Sequence, residues 1–306
     1  MGRMRFFLLS LALAATPAVA ATPLTLSYTV GESVTAFAAK EAGIFDKHGL
    51  DVTLLQLTQN SNAPAALASA SVEVAMIQVA NMLQAADSGL DFVAIAGGSD
   101  LAKGVSRNSV VVRTGLPVKS ARDLAHRTVG VPGIGASIDI FFRNWLLDNS
   151  VPPNQVNIVE TTFLAMGDDL KNETVDAVTP LEPFVTRITK AGLGYELVNL
   201  IDTLPRPRLN ALVFAVTRHW AADHADTVAA LRASIHEADA YVIANPDRAR
   251  EDINKYTKMP MEILTSLPLP AVDETARQED FDIWAHMMQR LTMLQSRPDT
   301  ARLILP

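Results

Sequence analysis

Residues 24–55 read LTLSYTVGESVTAFAAKEAGIFDKHGLDVTLL. The run Leu24-Thr25-Leu26-Ser27-Tyr28 is short, apolar and followed by turn residues, which predicts a strand. Val34 to Ala42 has helical character and stops at Gly43, a residue able to take the left-handed conformation that ends helices. Val52-Thr53-Leu54-Leu55 predicts the next strand. Going outward, Ala63 to Ala70 and Met82 to Ala86 read as helices, and Val74-Ala75-Met76-Ile77 and Phe92 to Ala96 as strands. Apolar strands that alternate with helices imply a parallel sheet covered on both faces, an α/β fold.

The middle of the chain repeats the plan. Ser120 and Asp123 suit a capping box, Thr128-Val129-Gly130-Val131 a strand and Ile138 to Leu147 a helix. Val156 to Val159 and Asp176-Ala177-Val178 are further strands. Val72-Glu73-Val74-Ala75 is echoed by Val175-Asp176-Ala177-Val178, and the loop near Gly31 by Gly133-Ile134-Gly135, as two similar lobes would be. Ser109 to Arg113 and Ala211 to Val216 are expected to be strands crossing between lobes. The tail is helical: His224 to Ala244, a helix opened by Pro246, and Phe281 to Leu294. The expected division is 21–108 plus 214–306 for lobe one and 109–213 for lobe two.

The 306 residues are 49% apolar and 19% charged, and contain no cysteine. The length suffices for two lobes with their own cores. A net charge of −7 without Lys/Arg runs argues against nucleic acid and anionic membranes as partners. Arg3 and Arg5, the apolar stretch Phe6 to Ala15 and Ala18-Val19-Ala20 describe a secretory signal peptide, residues 1–20, cleaved after Ala20. The apolar stretch is short of the ~20 residues that span a bilayer. Without cysteine there is no site for an N-terminal lipid, so a freely diffusing periplasmic protein, a monomer, is expected.

No Gly-x-Ser-x-Gly, His-Glu-x-x-His or phosphate-loop motif is present, and no catalytic residue, cofactor or metal is expected. His219, Asp223 and His224 read as a solvated helix start, Trp284, Met287 and Met288 as core, and Asp168-Asp169 as a helix opening. Pro132-Gly133-Ile134-Gly135-Ala136-Ser137 lacks the third glycine of a dinucleotide fingerprint, but offers free N–H groups at a helix start. Glu182, in Thr179-Pro180-Leu181-Glu182-Pro183, lies directly after a strand, where ligands of open α/β sheets collect. Its carboxylate could accept from a ligand or fix the neighbouring loop. Other strand-end loops rich in small polar groups are Thr29 to Ser33, Gln59 to Asn62, Gln78 to Asn81, Gly97-Gly98-Ser99, and Asn210.

Lys40 to Val52, KEAGIFDKHGLDV, is similar to a segment of substrate-binding proteins of nitrate/sulfonate/taurine-type ABC importers, a superfamily shared with thiamine-pyrimidine-precursor binders. Val72-Glu73-Val74-Ala75 and Val175-Asp176-Ala177 with Glu182-Pro183 resemble two further motifs of that family. The resemblance implies a bilobal periplasmic-binding-protein fold of type II, with two Rossmann-like lobes joined by two crossing strands. Carried over by position, it implies a pocket lined by Tyr28, Thr29, Ser33, Gln78, Asn81, Gly135, Ala136, Ser137, Glu182 and Asn210. The implied partners are a small solute and an inner-membrane ABC permease with its ATPase. Helix starts at Ser33 and Ser137 would suit a sulfonate, nitrate or carboxylate. An anion is therefore the expected solute. The first loop lacks the family's proline and aromatic pattern. Glu32 and Glu182 add negative charge, which would favour the alternative, an amine-bearing or heteroaromatic solute such as a pyrimidine. Rivals from other classes are a ligand sensor docking on a membrane receptor, and a pyrimidine-precursor synthase, whose cysteine motif this chain lacks.

Overall fold

A computed structural model describes residues 21–29 and 33–306. The expected signal peptide and Glu32 lie outside them. The first sheet has the order β2-β1-β3-β10-β4. Its strands are β1 (Thr22–Tyr28), β2 (Leu50–Gln56), β3 (Val74–Gln78), β4 (Phe92–Ala102) and β10 (Arg208–Thr217). The second has the order β7-β6-β8-β5-β9, built from β5 (Ser109–Arg113), β6 (Thr128–Val131), β7 (Asn157–Glu160), β8 (Ala177–Val178) and β9 (Gly194–Asn199). Helices α1 (Val34–Glu41), α2 (Ile44–Lys47), α3 (Ala63–Ala68) and α4 (Val79–Asp87) belong to the first stretch of chain. Helices α5 (Ser137–Asp148), α6 (Met166–Lys171) and α7 (Phe184–Lys190) accompany the second sheet. The tail contains α8 (Arg218–Asp223), α9 (Ala225–Ala244), α10 (Pro246–Thr257), α11 (Met261–Ser266) and α12 (Gln278–Arg290).

The continuous apolar runs serve both faces of each sheet, because successive side chains of a strand point to opposite sides. On β10, Leu212, Phe214 and Val216 join Ile44, Phe45, Leu231 and Ile235 on one face. Val213 and Ala215 turn to the other, with Leu83, Phe281 and Trp284. In the second sheet Val111 packs with Met166, Leu170 and Ile188, while its neighbours Val110 and Val112 share the face of Phe142 and Leu146. This is a bilobal type II fold. The lobes also touch through helices: Phe141 of α5 lies 4.8 Å from Trp284 of α12, and Asn144 Nδ2 donates to the Met287 carbonyl at 3.2 Å.

Two expectations need adjustment. The strands predicted as crossings are the antiparallel members of the two sheets, β5 against β8 and β9, β10 against β3 and β4. The chain passes between the sheets just before each of them, through residues 103–108 and 200–207. The second adjustment concerns Gly97-Gly98-Ser99, read as a loop but lying inside β4. A Cβ on Gly97 would stand 2.2 Å from the Asp273 carbonyl oxygen. The glycine lets residues 273–275 run across the sheet, with Gly97 N donating to the Glu274 carbonyl at 2.7 Å. The Ser120–Asp123 capping box and the Pro246 helix start are present as expected.

Candidate functional site

The carboxyl ends of β1 and β3 and those of β6, β7 and β8 converge on one gap. At the end of β3, Gln78 Oε1 accepts a hydrogen bond from Ser137 Oγ, the first residue of α5, at 3.0 Å. That contact joins the two lobes directly. α1 opens at Ser33 and α5 at Ala136-Ser137, and neither start has a side-chain cap. The first-turn N–H groups of both helices therefore have no intrahelical partner.

On the lobe-one side, Ser33 Oγ donates to the Thr29 carbonyl at 3.0 Å. Asn60 is the hub of this edge. Its Nδ2 donates to the Met76 carbonyl at 3.0 Å and to Thr29 Oγ1 at 3.4 Å. Its Oδ1 accepts from Gln78 N at 2.7 Å and Asn81 Nδ2 at 3.1 Å. One buried amide thus sets the positions of three predicted site residues. The sequence marked its loop as polar, and nothing in the pattern separates Asn60 from Ser61 or Asn62.

On the lobe-two side, Gly135 has φ +80°, and this bends the chain into α5. Two amides of its loop are already engaged by carboxylates. Gly135 N donates to Asp139 Oδ2 and Ile134 N to Glu160 Oε1, each at 2.8 Å. Asp139 is buried in the first turn of α5 and also accepts from Arg143 Nε at 2.7 Å. Apolar groups stand at the same strand ends. Ile134 is 54% exposed and Leu164 67%, and Phe163 stacks on Phe184 at 5.5 Å.

Glu182 is tied into its surroundings. It accepts from Arg107 NH1 at 2.8 Å and from Thr186 N and Oγ1 at 3.1 and 2.8 Å, which caps the start of α7. Arg107, on the outgoing crossing, also pairs with Glu196, and this contact holds the Glu196 carboxyl below the usual carboxylate range. Arg107 is thus shared by two carboxylates, and the three side chains together keep one net negative charge. Arg107 was not among the predicted residues.

Tyr28 and Asn210 differ from expectation. The Tyr28 ring is packed edge-on against Phe37 at 5.0 Å and Tyr256 at 6.0 Å, and its burial raises its pKa. Asn210 has no exposed surface. Its N donates to Asp280 and its Nδ2 to Asp100, its Oδ1 accepts from Arg277 N, and its carbonyl accepts from Trp284 Nε1. Both are buried scaffold behind the edge. Ser33 is as buried as Tyr28, whereas Thr29, Gln78, Asn81, Gly135, Ala136 and Ser137 are all partly exposed. Among the described residues no cluster of His, Asp or Glu could hold a metal ion, and no helix is long and apolar enough to cross a membrane. His219 is 89% exposed beside Asp223, as a solvated helix start would be.

Two α/β lobes crossed twice by the chain, with helix starts and strand ends facing across a gap, form an architecture able to hold a ligand between the lobes. The sequence profile of NMT1/THI5-like proteins matches residues 32–249, and the chain belongs to that family. A binding protein of Brucella abortus (strain 2308), whose name assigns it no solute, is 27% identical over 268 residues, covering 85% of this chain and 80% of that protein. The periplasmic aliphatic sulphonate binding protein of Escherichia coli has a TM-score of 0.78 at 15% identity, over 92% of this chain and 97% of that one. The periplasmic nitrate-binding protein of Synechocystis has a TM-score of 0.69 at 17% identity, over 92% and 84%. The chain thus has the fold of these periplasmic binding proteins.

Proposed function

We propose that the protein is the solute-binding component of an ABC-type import system, that its solute has an apolar or aromatic body with hydrogen-bonding heteroatoms, as a pyrimidine does, and that the gap at Gln78–Ser137 receives it. The observation that carries this reading is the engagement of the Ile134 and Gly135 amides by Glu160 and Asp139. A bare anion would meet carboxylates where the loop could have offered free N–H groups. Ile134, Leu164 and the Phe163–Phe184 stack supply apolar surface at the same strand ends. The first-turn N–H groups behind Ser33 and Ser137 and the amides of Gln78 and Asn81 would bind the heteroatoms. Glu182 and Asn210 act as scaffold. A second reading, a sulfonate, nitrate or carboxylate, is favoured by the two uncapped helix starts.

In this account the chain is exported by its first twenty residues and works as a periplasmic monomer. Lobe closure around the solute creates the surface read by the permease. A thermal-shift panel on protein refolded once to strip co-purified solute tests the reading. A ligand at 100 times its Kd adds about 2.7 kcal/mol of stability. Aminopyrimidines should raise Tm by several degrees while nitrate and taurine leave it unchanged. A shift with nitrate or taurine and none with the ring compounds would replace this reading by the second.

A further inference from the structure

The polar groups at the lobe-one edge of the gap differ in how firmly their hydrogen-bonding sense is set. Asn60 is fixed by two backbone groups, which cannot exchange roles. Its Nδ2 faces the Met76 carbonyl, an acceptor, and its Oδ1 faces the Gln78 amide, a donor. Turning the Asn60 amide over would set oxygen against oxygen and N–H against N–H. With Asn60 so held, its Oδ1 stands 3.1 Å from the Asn81 side chain, where only an N–H is tolerated. Asn81, in the first turn of α4, therefore keeps its Nδ2 on Asn60 and turns its Oδ1 away. Asn81 is partly exposed, and its Oδ1 has no partner among the described residues.

Its neighbours have no such fixed sense. A hydroxyl donates or accepts, so the contact between Gln78 and Ser137 survives a turn of the Gln78 amide. Thr29 likewise offers a rotating hydroxyl, beside Asn60 Nδ2. Among the described residues at this edge, Asn81 Oδ1 is thus the free side-chain acceptor whose sense cannot be reversed. Asn81 also lines a hollow of about 200 Å³, in which the other polar side chains are Ser61, Gln84 and Ser88. None of them is charged, so the hollow holds no cation for an anionic head. A polar group that settles against Asn81 has to donate.

We propose that Asn60 is a positioning residue for solute selection: by holding Asn81 it gives the gap a fixed acceptor, and the gap takes solutes that present an N–H or O–H donor to Asn81 Oδ1. This rests on the reading that the gap receives the solute. Asn60 acts through Asn81 and does not touch the solute. A solute of the same shape without the donor is rejected, because the Asn81 oxygen would give up water and receive nothing in its place. Removal of Asn60 frees the Asn81 amide to turn, so the gap loses its preference and keeps its shape.

Isothermal titration of the stripped protein with 2-aminopyrimidine and 2-methylpyrimidine, rings of one shape with and without the donor, tests this. The amine should bind at least about tenfold more tightly. Asn81→Leu and Asn60→Ala should each bring that ratio below about threefold. Asn60→Asp, whose carboxylate still accepts from Asn81 Nδ2, should keep the ratio near about tenfold even where its Tm is lower, which separates positioning from loss of stability. Equal affinities in the wild type, or a ratio untouched in Asn81→Leu or Asn60→Ala, would overturn the proposal. If neither compound binds up to about 10 mM, the reading of the gap as a pyrimidine site fails, and the fixed acceptor is then read on the protein alone. The Asn81 side-chain NH₂ signals, identified by NMR through their loss in Asn81→Leu, should exchange with water at least about tenfold more slowly in the wild type than in Asn60→Ala. Equal exchange in the two proteins would overturn it.

Discussion

Replacing Asp239 by Asn should remove a pH effect on stability. Asp239 lies on α9 with 3% of its surface exposed, and its Oδ1 accepts from Thr35 Oγ1 at 2.6 Å in the first turn of α1. Its Oδ2 is buried without a partner. Burial, helped by the charges of Glu274 and Asp273 and opposed by Thr35 and His236, pushes its pKa from 3.8 up to about 7. Between those two values the native state holds a proton that the unfolded chain has released. Stability therefore falls as pH rises from about 4 to 7, by roughly 1.4 kcal/mol per pH unit and about 4 kcal/mol in all. The asparagine does not titrate, but it places an unpaired N–H group where Oδ2 sits, a pH-independent cost of about 1–2 kcal/mol. The variant should be less stable than wild type near pH 4 and more stable at pH 8, the two curves crossing between. Urea denaturation at unit steps from pH 4 to 8 measures this. Parallel curves would refute the buried, protonated carboxyl.

Gly97→Ala should destabilise by about 3 kcal/mol or more, because the new Cβ meets the Asp273 and Thr275 carbonyl oxygens at 2.2 and 2.8 Å, and both are backbone. Gly98→Ala, whose nearest contacts are at 3.2 Å, should cost less, and a melt that ranks them the other way would contradict the crossing of residues 273–275. Glu182→Gln should lower stability by about 1 kcal/mol through the lost charge pairing with Arg107 and change solute affinity less than tenfold. A tenfold loss of affinity at unchanged Tm would instead put Glu182 on the ligand.

Most of the α/β plan was legible because most strands hold a short apolar run followed by turn residues, and the polar strand ends marked the gap; β9, Gly194–Asn199, with its mixed composition, escaped it. What escaped reading is which side of a strand end a polar group faces. Asn60 and Asn210 are the same residue type at similar places. One organises the gap and the other is sealed beneath Trp284, a difference decided by a helix some seventy residues further along the chain. Arg107 was invisible for a related reason, since its two partners Glu182 and Glu196 come from separate elements. Gly97 was misread because a glycine pair signals a loop and a close backbone approach equally well.

The arginines also show where closure can be accommodated. Arg107 fastens the outgoing crossing to lobe two just before β5, and Arg206 fastens the return crossing to Glu279 and Asp280 of α12 just before β10. Each crossing is thus anchored where it arrives. The two are also stitched to each other, by Lys103 N to the Pro207 carbonyl at 2.9 Å at one end and Leu200 N to the Asn108 carbonyl at 2.7 Å at the other. They form a short ribbon whose ends are held, so the lobe closure proposed above would be taken up between those ends. Gly104 lies there at φ +75° with nothing within 4 Å of a Cβ position, free to absorb a change in backbone angle.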